Sequence, residues 1–490
     1  METNFTRDTI YVDGQWVPAQ GTGKIEVISA YSEQVIATVP QCSRDDIDLA
    51  VKAARSAFDK GPWPRMSAKE RVAVIARLRD IIEQRQEEIA QAISAEMGSP
   101  ITQARSIQAS LPVKMLDEQM QIAANEYPWS EIRESVTGKA LVRRLPKGVA
   151  VLITPWNAPL MTTIQKLGPA LLAGCSVVLK PASLAPLSAY LLAEMAHEAG
   201  IPAGVLNVVT CDRAEAEYLV LHSGVDKVTF TGSTGAGSHL AAACGKILRP
   251  ITLELGGKSA AIITEDADIP AAVEALKMLS FRNSGQICTL KTRVLVAESR
   301  ATEFTQAFKA MVESLPVGDP SDPSTIIGPM VSEKQRDNVV RYIEIGIKEG
   351  LSLVTGGLGR PEGLNHGWFV KPTVFADVDQ NASLAQEEIF GPVVTITSFE
   401  TEDEAVAIAN NSIFGLSGTV FSKDVDRAVS IADCIKTGVV EINGNPFGFH
   451  APFGGVKQSG MGRENGWEGF ESYVELKSIG LPRDYSPNAI

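Results

Sequence analysis

"GVAVLITPWNAPLMTTIQKLGPALLAGCSVVLKPAS", residues 148–183, brackets a less regular stretch between two short apolar runs, "GVAVLITP" and "CSVVLKP". Both runs are rich in β-branched residues and lack polar alternation, which marks strands buried on both faces. The pattern continues in "GVLNVVT" (204–210) and "DKVTFTG" (226–232), with helical segments such as "LSAYLLAEMAHEAG" and "RAEAEYLVLHS" between the strands. Buried strands alternating with helices predict a doubly wound parallel sheet, so the fold class is α/β. Ligands in such sheets bind beyond the carboxyl ends of the strands. Those ends here read "TPWN" (154–157), "KPAS" (180–183) and "TGSTGAG" (231–237).

Before this core, residues 45–124 place apolar side chains at three- and four-residue steps, as in "RVAVIARLRDIIEQRQEEIAQAI", and predict amphipathic helices. "KALVRRL" (139–145) alternates like an exposed strand. After "TLELGGKS" a second α/β series begins with "AAIIT", a helix from about 269 to 283 and "RVLVA", and runs to about 442. "PVGDPSDPST" reads as a surface loop, and "FESYVELKSIG" (470–480) as a strand able to extend a neighbour's sheet.

A chain of 490 residues exceeds the roughly 250–300 that one core serves, so two or three folded units are expected. The net charge of −13 disfavours nucleic acid, whose phosphates demand Lys and Arg. The first residues lack the basic and apolar segments of a signal peptide, and no apolar run is long enough to span a membrane. A cytoplasmic protein without nucleic-acid or membrane partners is expected. The six cysteines form no C-x-x-C pair, the five histidines are scattered, and "HEAG" continues with Ile201 rather than toward a second histidine; no metal site is expected.

Five features are candidates for chemistry, and one of them fails. The glycines of "GSTGAG", entering a helix, leave backbone N–H groups for a phosphate, although the stretch is not the G-x-G-x-x-G fingerprint. "LELGGKS" ends like a nucleoside-triphosphate loop, but its first glycine would fall at Thr252, which disfavours that reading. Lys180 leaves a buried strand at the ligand edge, where it suits a sugar hydroxyl or phosphate. Glu254 ends another apolar strand, where desolvation would raise its pKa toward that of a general base. Cys288, in "FRNSGQICTLKTR", is a small thiol that packing, redox chemistry or nucleophilic catalysis would each explain.

Taken together, "PWN", "KPAS", "GST", "ELGG", "GQIC", "EEIFGPV" and "PFGGVKQSGMGRENG", in this order over some 300 residues, resemble the NAD(P)-dependent aldehyde dehydrogenase superfamily along nearly the whole chain. The resemblance implies a Rossmann-type cofactor domain (1–124 and 147–255), an α/β catalytic domain (256–457), and a β oligomerisation arm with C-terminal tail (125–146 and 458–490). It implies Cys288 as nucleophile, Asn157 as oxyanion donor, Glu254 as base, and Lys166 as support of the polar network. For NAD or NADP it implies Trp156, Lys180, Ser183, Gly232, Ser233, Glu388 and Phe390, with Glu387 structural. A homodimer or homotetramer acting on a small-molecule aldehyde follows from the same resemblance.

Two positions depart from the family pattern. Ser183 stands where many NAD-using relatives have Glu, which removes a charge that would repel a 2′-phosphate, so NADP is expected to be tolerated. Ala158 stands where relatives often carry a bulky Phe, and Thr162 and Gln165 are not large aromatics either. With Ile287, Phe447 and Phe453 as apolar walls, this channel favours a bulky apolar aldehyde: aromatic, terpenoid or long-chain. Three other readings stay open: a CoA-acylating relative, a catalytically silent ligand-binding member, and a redox role for Cys288 with Cys175 or Cys244 approaching in space.

Overall fold

The structure, a computed structural model, describes residues 5–485. Its eight-stranded sheet runs in the order Gly460–Met461, Ile251–Glu254, Lys227–Thr231, Val149–Ile153, Ser176–Lys180, Leu206–Val208, Thr9–Val12, Gln15–Pro18. The five strands from Ile251–Glu254 to Leu206–Val208 are parallel. Strand order reverses between Val149–Ile153 and Lys227–Thr231, creating the crevice where open sheets bind ligands. Every residue of Val149–Ile153 is buried, which is why its sequence shows no alternation.

A second sheet has seven strands, ordered Ser352–Thr355, Thr373–Ala376, Val393–Phe399, Lys291–Ala297, Ser259–Ile263, Ser417–Phe421, Val439–Ile442, with only the first antiparallel. Its start at Ser259 lies five residues past Glu254, so "GGKS" links the sheets and brings their facing edges together. The third sheet is antiparallel: Val474–Leu481 against Lys139–Pro146, then Ser130–Glu134.

The amphipathic stretch folds as helices Arg44–Lys60, Ala68–Gln84, Gln86–Met97 and Ser110–Gln121, interrupted by wide π turns at Ala104–Ala109 and Ile122–Glu126. Ser43 and Ser67 open the first two with reciprocal side-chain caps.

Two boundaries differ from the sequence reading. Phe470 and Glu471 close the short helix Gly466–Glu471, and the C-terminal strand begins only at Val474. The cause is packing: Phe470 is buried against Tyr127 and Trp129, a contact that alternation alone does not foretell. Helix Ile269–Phe281 also ends earlier than 283, because Asn283, Ser284 and Gly285 have φ of 52°, 59° and 81°. The helix cannot continue through such residues.

Candidate active site

A cavity of about 700 Å³ opens where the carboxyl ends of the first sheet face the second. Its wall brings together Trp156, Asn157, Ala158, Thr162, Gln165, Gly232, Ser233, Glu254, Ile287, Cys288, Glu388, Phe390, Phe447 and Phe453. Lys166, Lys180 and Ser183 lie outside that wall.

Cys288 follows the turn formed by the three left-handed residues. Such conformations cost of order 1–3 kcal/mol each outside glycine, and surrounding bonds must hold them. Here Asn283 N donates to Gln103 Oε1 (2.8 Å), and Ser284 Oγ both donates to Gly328 O and accepts from Gly328 N at 2.9 Å. Gly285 is required twice over, by its φ and because a Cβ there would lie 2.1 Å from the carbonyl carbon of Gly391.

The same bonds set Asn157. Its backbone oxygen accepts from Gln108 Nε2 (2.9 Å) and Asn283 Nδ2 (3.0 Å), while its own Nδ2 donates to Gln286 O at 2.8 Å. One amide hydrogen is thereby used, and the second remains for an oxygen in the cavity. Burial, then the nearby Glu388 and Glu254, push the half-buried Cys288 thiol up to about 12. The resting sulfur is therefore protonated and must lose its proton to act.

Glu254 ends its strand with both carboxyl oxygens buried and without hydrogen-bond partners. Burial and the charge of Glu464 hold its pKa well above the usual carboxylate range, against the opposing pull of Lys166 and Arg463. Lys166 and Glu464 form an enclosed ion pair at 2.5 Å, their side chains 0% and 5% exposed. Glu464 lines the cavity, and its backbone exchanges two 2.7 Å hydrogen bonds with Phe453. The sequence reading did not single out Glu464; its one signal was its place within "GMGRENG".

Ser233 caps helix Thr234–Lys246, its Oγ accepting from Ala236 N at 3.4 Å, so the helix start faces the cavity with Gly232. Glu388 Oε1 accepts from Gly257 N at 3.0 Å, and a Cβ at Gly256 would stand 2.1 Å from Oε2. Only glycine leaves the carboxylate that place. Burial pushes Glu388 up to about 7, opposed by the Gly257 bond and by Lys258. Trp156 and Phe390 meet edge to face at 5.4 Å.

A helix N-terminus suited to a phosphate, a carboxylate suited to ribose hydroxyls and an aromatic pair share one cavity, so the residues present fit a nicotinamide dinucleotide. Lys180 stands at its strand end, its pKa lowered by burial, and Ser183 Oγ donates to Cys211 O at 3.4 Å.

On the other side, Ala158 precedes helix Pro159–Ala173, which brings Met161, Thr162 and Gln165 to the wall. Thr162 Oγ1 donates back to Ala158 O at 2.7 Å, which consumes its hydroxyl hydrogen. Phe447 and Phe453 stack at 6.1 Å, and Ile107, Leu111 and Phe449 add apolar wall that the sequence did not reveal. Cys175 and Cys244 are buried within core clusters rather than at this wall.

Comparison with known proteins gives one family. The family model of the Aldehyde dehydrogenase family matches residues 16–479. The chain is 47% identical to geranial dehydrogenase of Castellaniella defragrans, over 96% of this chain and 98% of that one. It is 42% identical to 3-succinoylsemialdehyde-pyridine dehydrogenase of a Pseudomonas species, over 96% and 97%. A crystal structure of Mycobacterium tuberculosis aldehyde dehydrogenase complexed with NAD+ superposes with a TM-score of 0.97 at 43% identity, covering 99% of this chain and 100% of that one.

Proposed function

We propose, from the premise that this chain belongs to the aldehyde dehydrogenase family, that it oxidises a bulky, largely apolar aldehyde to the carboxylic acid at Cys288. The carrying observation is that Cys288, Asn157 and Glu254 share one cavity with Gly232, Ser233 and Glu388.

In this reading the Cys288 thiol releases its proton to water in the cavity, and the sulfur bonds to the aldehyde carbon. The carbonyl oxygen takes the displaced electron pair and accepts hydrogen bonds from Asn157 Nδ2 and Cys288 N. One such donor contributes about 3 kcal/mol to the transition state. When bound, the dinucleotide would accept the hydride that leaves the adduct carbon as the oxygen re-forms its double bond, which leaves a thioester on Cys288; Ser233, Gly232, Lys180 and Glu388 would hold the dinucleotide, with Trp156 and Phe390 beside it. Glu254 then takes a proton from the water that attacks the thioester carbon, and the acid leaves as the sulfur recovers its electron pair. Lys166 and Glu464 set the electrostatic surroundings of Glu254. A water-activating carboxylate favours hydrolysis over transfer to CoA.

The substrate class rests on Ala158 and on the apolar wall, and the name of geranial dehydrogenase, a 47% identical relative, points to terpenoids. NAD is the expected cofactor, and Ser183 supports use of NADP. The three-unit division drawn from the sequence, a homodimer or homotetramer, and a cytoplasmic location complete the proposal. The location is supported by six unpaired cysteines and by the lack, among the described residues, of any helix long and apolar enough to cross a membrane.

The test is an aldehyde panel assayed with both dinucleotides, following reduced cofactor. Benzaldehyde and long-chain aldehydes should exceed acetaldehyde in kcat/KM. A preference for acetaldehyde would refute the substrate class, and silence across the panel would refute the activity.

A further inference from the structure

Arg282 opens the turn that leads to Cys288 and lines the same cavity. Its Nε is fully buried and has no hydrogen-bond partner. Glu441, which also lines the cavity, lies close enough to interact with it electrostatically. Yet Glu441 is already engaged: Lys291 Nζ stands 2.6 Å from its Oε2, both side chains being almost enclosed. Lys291 also donates to Ser417 Oγ at 2.8 Å and Thr289 O at 3.1 Å.

Two cations therefore meet one carboxylate, and the surplus positive charge belongs to the side chain that lacks a bonded partner. Cys288, whose thiol is the other group facing Arg282, does not neutralise it while protonated. A guanidinium at a cavity wall that the protein leaves without hydrogen-bond acceptors must find them in the cavity, from water or a ligand. The position limits what that ligand is. Strand Val439–Ile442 carries Glu441 and runs directly into the loop bearing Phe447 and Phe453, so the charged cluster adjoins the apolar wall.

We propose that Arg282, backed by the Glu441–Lys291 pair, is an oxygen-recognising subsite of the substrate cavity: favoured aldehydes carry a second, acceptor oxygen on an otherwise apolar body, a carboxylate being preferred to a keto or hydroxyl group. The proposal rests on the reading that Cys288 takes the aldehyde in this cavity. It adds a polar requirement to that reading, because shape and hydrophobicity alone do not satisfy the guanidinium.

The experiment compares kcat/KM for matched pairs with the full enzyme and its dinucleotide. The pairs are benzaldehyde with meta- and para-carboxybenzaldehyde, benzaldehyde with the hydroxybenzaldehydes, and linear alkanals with ω-oxo acids of equal length. At least one oxygenated member should exceed its plain partner by about tenfold or more, as a hydrogen bond to a charged group allows. Arg282→Met should collapse that ratio, and Arg282→Lys, which keeps the charge, should retain part of it. Melting curves of both variants report folding separately, and the ratio within one protein is insensitive to the active fraction.

Parity within every pair in the parent overturns the subsite. Equal loss for both members in Arg282→Met also overturns it, since Arg282 would then serve Cys288 or a bound water. If no aldehyde of either kind reacts, the underlying reading fails first and the subsite with it.

Discussion

Glu254 is buried beside a second carboxyl group, Glu464, with Lys166 and Arg463 opposing, and burial first and then that neighbouring charge govern how it titrates. Burial and Glu464 raise the Glu254 pKa, so its basic form is lost as pH falls through that raised value. Thioester hydrolysis should therefore decline on the acid side at a pH well above the ordinary carboxylate range. Glu254→Gln should remove that limb and lower steady-state turnover by ~10²–10⁴-fold, while a first equivalent of reduced cofactor still forms. Stopped-flow measurement of the burst against the steady state checks this, and an unchanged steady-state rate contradicts it. Ser183 poses a second question at the same scale. A carboxylate at that position would repel a 2′-phosphate, so Ser183→Glu should raise KM for NADP at least tenfold while changing KM for NAD far less. Equal loss with both cofactors would count against the assignment.

Helices and strands show how much of the site depends on their ends. Glu96, on helix Gln86–Met97, reaches the start of helix Leu187–Glu198, where its Oε2 accepts from Leu187 N at 2.9 Å while Oε1 is left without a partner. Burial outweighs the favourable helix N-terminus and pushes the carboxyl up to about 8. A carboxyl raised in the folded state gives stability that is complete below its ordinary value and is lost as pH rises toward about 8. Glu96→Gln should flatten this dependence, whose slope is at most about 1.4 kcal/mol per pH unit, and should be the more stable protein at the alkaline end. Urea titrations of both proteins across that range measure it; parallel curves would show that Glu96 is not the group responsible. The turn at 283–285 is the other decisive element end, since it aims Cys288 only while Gln103 and Gly328 hold it.

At the scale of the whole molecule, the three-stranded sheet stands apart from the two that build the cavity. Val474–Leu481 pairs with Lys139–Pro146 over eight residue pairs, yet Leu476 and Ile479 remain 58% and 37% exposed, and the strand forms one edge of its sheet. Open edges with apolar side chains invite pairing with another chain. The parent should be a homo-oligomer, and Leu476→Lys combined with Ile479→Lys should shift it to a smaller species. Light scattering on size-separated protein decides this, and a monomeric parent would remove the role proposed for the arm.

By itself the sequence determined the parallel core, the strand ends and the constellation from "PWN" to "GRENG", because these depend on local periodicity, turn chemistry and the spacing of motifs. It singled out part of the cavity wall, including Cys288, Asn157 and Glu254. Only the tertiary structure decided what surrounds them. Lys166 meets Glu464 across 298 residues, and Lys291 meets Glu441 across the second sheet, leaving Arg282 without a bonded partner. Likewise, Phe470 turned from the expected strand into a helix end because of the aromatic rings it meets. The physical reason is common to all three cases: desolvation and charge balance belong to groups brought together by folding, and one-dimensional spacing carries no record of which distant side chain arrives.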